Sequence, residues 1–212
     1  MKKYSLFGYL FFISFFLVLK CSQDSNPASD DIIIECEDIT CNSNVNDFII
    51  QISVSMMNPF NSDAIDSIFD SENHFGVLEN ATDGYDSDYD ILEPSEGAGN
   101  WISLYFPHPE WENNLGDDFT QDIKGNILDD QNEGMIEWDF DVKSNAYGII
   151  NIDFESSDDY CYDCIQSIQI TLGEEVFTTE GPDIDNFNIS TFLQSNQIIS
   201  FNLIVEFLDS DE

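Results

Sequence analysis

Four aspartates, Asp83, Asp86, Asp88 and Asp90, fall within eight residues in the stretch NATDGYDSDYDILEP, residues 80–94. Carboxylates at this density suit a hard divalent cation, because calcium collects six to eight oxygens from carboxylates and main-chain carbonyls. Asp86, Asp88 and Asp90 match the first three ligand positions of an EF-hand loop. Ile91 stands where that loop requires glycine and Gly97 where it requires a bidentate glutamate, so the EF-hand is excluded. Two readings stay open for Asp83, Asp86, Asp88 and Asp90. One is a looser calcium loop; the other is a solvated turn in which Asp83-Gly84 reverses the chain and the remaining aspartates cap amides. Tyr85, Tyr89, Tyr105 and Trp111 lie in or near the same stretch. They are candidates for a sugar-stacking platform, with ordinary loop packing as the alternative.

The usual catalytic kit is missing. The only histidines are His74 and His108, and His108 between Pro107 and Pro109 reads as a rigid exposed turn rather than a base. No Gly-x-Ser-x-Gly, His-Glu-x-x-His or phosphate-cradling glycine loop is present. Paired carboxylates can serve a glycosidase, but 43 acidic residues produce such pairs by chance. The sequence therefore predicts no enzymatic activity. A carbohydrate-binding module or a carboxylate-based glycosidase is the alternative.

Charge narrows the partners. Lys and Arg together number 5, all lysine, against 43 acidic residues, for a net charge of −38. Lys2, Lys3 and Lys20 lie at the N-terminus, which leaves Lys124 and Lys143 for the rest of the chain. Such a field repels phosphate backbones and anionic lipid head groups, so nucleic acid is excluded as a partner. With 42% hydrophobic and 14% aromatic residues the chain can still build a core, and the acid belongs on its surface.

Residues 1–20 carry a basic start and an apolar run from Tyr4 to Leu19, too short to span a bilayer comfortably. Together they read as a signal peptide. Cys21 follows directly, and this arrangement resembles a bacterial lipoprotein signal, with Cys21 as the site of lipid attachment. Residues 21–45 read as a lipidated acidic tether with a short strand. The expected location is the outer membrane or cell surface, with membrane contact only through the lipid. Other surface proteins or glycans are the expected partners, and calcium is the only expected cofactor. The remaining cysteines, Cys36, Cys41, Cys161 and Cys164, are disulfide candidates in an exported protein.

Residues 46–212 must position these groups. Apolar residues alternate with polar ones from Phe48 to Met56, Ile102 to Phe106, Ile136 to Val142, Ile150 to Phe154, Ile168 to Leu172 and Ile199 to Phe207. A shorter strand is expected around Val176 and Phe177, and a helical turn over Ala64 to Phe69. Alternation at period two marks half-buried strands. About seven of them predict an all-β, antiparallel immunoglobulin-like β-sandwich with a long acidic irregular loop from Asn58 to Asn100.

An ordered series of motifs runs through this domain: Phe75-Gly76-Val77, Ala81-Thr82-Asp83-Gly84-Tyr85-Asp86, Glu93-Pro94, Tyr105-Phe106-Pro107 and Asp118-Phe119-Thr120-Gln121-Asp122-Ile123. Trp138-Asp139-Phe140 follows. The series resembles an immunoglobulin-like module of secreted and surface proteins of diderm bacteria, associated with type IX secretion. The resemblance implies a structural or adhesive role without catalysis. Lipidation at Cys21 is expected to replace a sorting domain as the means of attachment.

Overall fold

The computed structural model describes residues 47–57, 67–111, 116–125, 134–157, 160 and 162–208. They belong to one compact unit, Ile34–Glu212. The expectations for residues 1–20 and 21–45, including Cys21, lie outside the described residues.

Alternation dictates most of the strands. The run FIIQISVSMM forms β1 (Phe48–Met57), burying every second side chain from Phe48 to Met56. β2 (Ile68–Val77), β3 (Ile91–Leu92), β4 (Ile102–Pro107) and β5 (Asp118–Lys124) follow. β6 (Met135–Ser144) and β7 (Gly148–Ser156) alternate as cleanly as β1. β8 (Ile165–Leu172) and β9 (Glu175–Glu180) make a hairpin, with Gly173 at φ +62° in its turn. A 3-10 turn, Gly181–Asn186, leads into β10 (Asn188–Leu193), and β11 (Ile198–Phe207) closes the domain. Among the described residues no helix is long and apolar enough to cross a membrane.

All eleven strands belong to one mixed sheet, nearly closed into a barrel, in the order β10-β7-β1-β2-β5-β4-β6-β11-β8-β9 with β3 beside β5. This differs from the expected seven antiparallel strands in two ways. The strand number is higher, and β2 runs parallel to β5, pairing His74 with Gln121 and Val77 with Lys124. Nor is the span 58–100 simply irregular, since it holds β2 and β3. Phe69, expected in a helical turn, lies in β2. The sequence of β2, IFDSENHFGV, hides its strand character. It carries a register shift opposite Ile52 and Val54, and it buries Asn73 where an apolar residue would mark the pattern.

The core forms where the inward faces of the two halves meet. The Trp138 ring lies 5.2 Å from Phe75 and 6.3 Å from Phe48, while Phe140 stacks on Phe201 at 4.7 Å. These large rings are fully buried and fill the interior of the curled sheet. Gly76 sits where β1 and β2 come closest: a Cβ there would lie 2.2 Å from the Phe48 carbonyl oxygen.

Gly76→Ala is therefore expected to force β1 and β2 apart and cost about 1–3 kcal/mol, the range for overpacking a filled site. Urea denaturation followed by circular dichroism measures the change. An unchanged midpoint would contradict the close approach.

Candidate functional site

The aspartates of residues 80–94 do not converge. Asp90 is buried, and its carboxylate accepts the Asp86 N–H at 2.6 Å and the Ile123 N–H at 3.2 Å. Asp86 in turn accepts the Asp88 N–H at 3.1 Å, and its carbonyl accepts the Tyr89 and Asp90 amides. Asp83 points outward, 4.0 Å from Lys124, and Asp88 is exposed. Two of the four carboxylates are thus engaged in fixing the turn and tying it to β5. Burial pushes the Asp90 carboxyl up to about 6, although the amides of Asp86 and Ile123 pull it back down. Among the described residues no group of three or more ligand-type side chains gathers as a metal site would require.

The expected stacking residues separate into two places. Trp111 lies flat on His108, 3.6 Å between ring centres, and packs edge-on against Phe119 at 4.9 Å. Tyr85 joins this cluster, 6.1 Å from Trp111 and 5.8 Å from Phe119. Tyr105 stands apart, only 4% exposed, with its hydroxyl on Asp141 and Lys143 4.3 Å over its ring. Tyr89 contributes its main-chain carbonyl, which accepts the Gln121 side-chain amide.

His108 is not on an exposed turn. Its side chain is 13% exposed, with Nδ1 2.9 Å from Glu110 and Nε2 2.9 Å from the buried carboxylate of Asp122. Burial opposes charge on the ring, but Asp122 and Glu110 outweigh it and hold His108 above its ordinary value. A general base needs one ring nitrogen facing the substrate, and both of these are occupied.

The most site-like feature lies elsewhere, on the outer face of β7, β1, β2, β5 and β3. Strand register places one residue from each strand in a single row: Glu155, Gln51, His74, Gln121 and Ile91. At about 4.8 Å per strand the row spans roughly 19 Å. Three cavities follow it. One of about 370 Å³ lies by Ser53, Asp153 and Asp185. The middle one, about 520 Å³, shares Gln51, Glu155 and Ser156 with it and is flanked by Tyr160. The third, about 730 Å³, shares His74 and Gln121 with the middle one and opens toward Phe69, Glu93 and Trp101. Together they make one continuous groove.

The register also shows how the strands diverge at the Glu93 end. Phe119 pairs with both Phe106 and Leu92, and Gln121 with both His74 and Ile91. Hence β3 takes one edge of β5, while β2 and β4 share the other and diverge from it. Asp70 of β2 bridges the resulting seam by accepting the Leu104 N–H of β4 at 2.9 Å, and Glu93, just past β3, accepts the Ser103 hydroxyl of β4 at 2.7 Å. The other carboxylate oxygen of Glu93 is buried with no hydrogen-bond partner. Burial pushes the Glu93 carboxyl up to about 7, against the Ser103 hydrogen bond and with the help of the Asp70 charge.

Sequence reasoning missed this row. Gln51 is legible as an outward residue of β1, but its neighbours come from strands whose register no local pattern encodes.

A carboxyl raised from 4.5 to about 7 makes the native state hold its proton more tightly than the unfolded chain. Between those values the native state binds more protons, so the contribution of Glu93 to stability falls as pH rises. Glu93→Gln keeps an acceptor for Ser103 and removes the buried charge. Its gain in melting temperature should be larger at pH 8 than at pH 5, by about 2–4 °C for a domain of this size. Equal gains at both pH values would contradict the raised carboxyl.

No protein-family model, curated protein or solved structure matches the chain, so its function is argued from this geometry.

Proposed function

We propose that the protein is a non-catalytic, surface-exposed lipoprotein whose β domain is a structural or adhesive binding module. The observation that carries this reading is the groove over the Glu155–Gln51–His74–Gln121–Ile91 row, a long open surface lined by polar and aromatic side chains. The side chains best suited to proton transfer are meanwhile engaged in support, as with His108 between Asp122 and Glu110. An immunoglobulin-like relationship belongs to the same proposal, supported by the all-β architecture, and an association with type IX secretion rests on the motif series alone. Disulfide bonding belongs to it as well. Cys164 is buried, whereas Cys36, Cys41 and Cys161 lie outside the described residues.

One observation favours a carboxylate glycosidase instead: Asp70 and Glu93 are neighbours, and the Glu93 carboxyl sits at about 7. Against it, both already accept hydrogen bonds from Leu104 and Ser103. A hydrolysis screen over soluble polysaccharides separates the two. Turnover lost in Glu93→Gln would replace the binding reading with the enzymatic one.

Lipid anchoring rests on Cys21. Cys21→Ser should leave an unprocessed precursor or release the protein from membrane fractions. A variant still processed and membrane-bound would overturn the anchor.

Calcium stabilisation of residues 83–90 is retained as a proposal, supported by the exposed Asp83 and Asp88 on the turn held by Asp86 and Asp90. Calcium bound only to the native state raises stability by about 2.7 kcal/mol at a hundredfold excess over Kd. Sodium chloride of matched ionic strength supplies screening alone, and magnesium accepts such a loop poorly because it demands octahedral geometry. The melting temperature should rise most in calcium, and less so in Asp83→Asn and Asp88→Asn, which keep the backbone hydrogen bonds of the turn. Equal rises in all three salts would overturn calcium binding.

A further inference from the structure

We infer that the groove takes a linear, uncharged polysaccharide lying across the strands, and this rests on the binding-module reading above. Its length is the first reason. The row crosses five strands, too long for a single sugar, and the strand spacing is comparable to the rise of an extended pyranose chain.

Chemistry along the row is the second reason. Gln51 and Gln121 each donate one side-chain amide hydrogen to a main-chain carbonyl, of Ser71 and Tyr89. These bonds fix the two amide planes before any ligand arrives, which lowers the ordering cost of binding. Burial pushes His74 below its ordinary value, only partly offset by Glu72, so at neutral pH its ring is uncharged, with its N–H directed to the Glu72 carbonyl and the other nitrogen an acceptor. Amides and a neutral imidazole suit hydroxyl groups, which both donate and accept.

Charge is the third reason. Glu155, Asp153 and Asp185 line one end of the groove, Asp70, Glu93 and Glu96 the other, and no lysine lines any of the three cavities. A polyanion would be repelled. Hydroxyl protons can donate to these carboxylates without any counter-charge. An aromatic face is available for the apolar side of a sugar ring at one end, that of Phe69, 71% exposed, and Trp101 lines the same end.

An extended peptide fits less well. Strand addition needs a free main-chain edge, and at the row β1, β2 and β5 are each paired on both sides.

Affinity electrophoresis of the full chain through gels containing soluble glucan, xylan or mannan tests the inference, with polygalacturonate and a lysine-rich peptide as comparisons. At least one neutral polysaccharide should retard the protein. His74→Ala and Gln121→Ala should weaken that retardation at least tenfold, and Glu155→Ala, at an exposed position, severalfold. Asp139→Asn, on the outer face of β6, should leave it unchanged. Thermal melts show which variants remain folded, and Glu155→Ala keeps the test decisive if the others unfold. No retardation by any neutral polysaccharide, or retardation indifferent to the row, overturns the glycan inference. Peptide binding lost in the row variants would overturn it while sparing the binding-module reading. Turnover of a retarding polysaccharide would leave the glycan assignment standing and end the non-catalytic reading.

Discussion

Two lysines cannot neutralise the acid of this domain, and main-chain amides take over part of that task. Asp70 accepts from Leu104, Asp90 from Asp86 and Ile123, Asp47 from Glu79, and Asp185 from Ser156. Charge-assisted hydrogen bonds of this kind are shorter and stronger than neutral ones. They link segments far apart in the chain without any cation. Lys143 and Lys124 make the described lysine–carboxylate ion pairs, and both also lie over aromatic rings. Removing the Asp90 carboxylate would cost more than its charge, because the buried Ile123 N–H left without an acceptor bears the full desolvation penalty.

The same constraint shapes the groove. Where β2 and β4 share one edge of β5 they do not pair with each other, and the Asp70 carboxylate bridges them, while Glu93, just past β3, holds Ser103 of β4. A seam held by side chains keeps a surface that a strand ladder would have filled. Its chemistry comes from the outward residues of β1, β2 and β5. The aromatic cluster of Tyr85, His108, Trp111 and Phe119 buttresses β5 nearby.

Much of the β architecture was legible in sequence, because β1, β6, β7 and β11 alternate almost without fault. β2 was not, since Asp70, Glu72, Asn73 and His74 read as loop residues, and only their tertiary partners make them strand residues. Thr120, for instance, donates to both the Glu72 carbonyl and the Asn73 side chain. β10 hides for a different reason: its outward positions Asn188 and Ser190 bond to Asp153 and Asn151 of β7, so its polarity is satisfied by register. The aspartate stretch was recognisable as a turn, but which carboxylate would be buried was not. That depends on the Ile123 amide, more than thirty positions away. The row across the strands was the least legible feature, since each residue is ordinary alone and acquires meaning only from alignment across four strand boundaries.

The parallel pairing of β2 with β5 has a kinetic consequence. Asn73 and Thr120, which lock the two strands together, are separated by 47 positions, and β3 and β4 must be laid down between them. Contacts of such sequence separation carry a large loop-closure cost and tend to slow folding. The hairpin β8–β9 closes locally and can form early. His74 and Gln121 come side by side only when β2 docks on β5, so the central part of the groove is absent from any species that has not completed this step. The central part of the groove therefore forms only together with this long-range strand pairing.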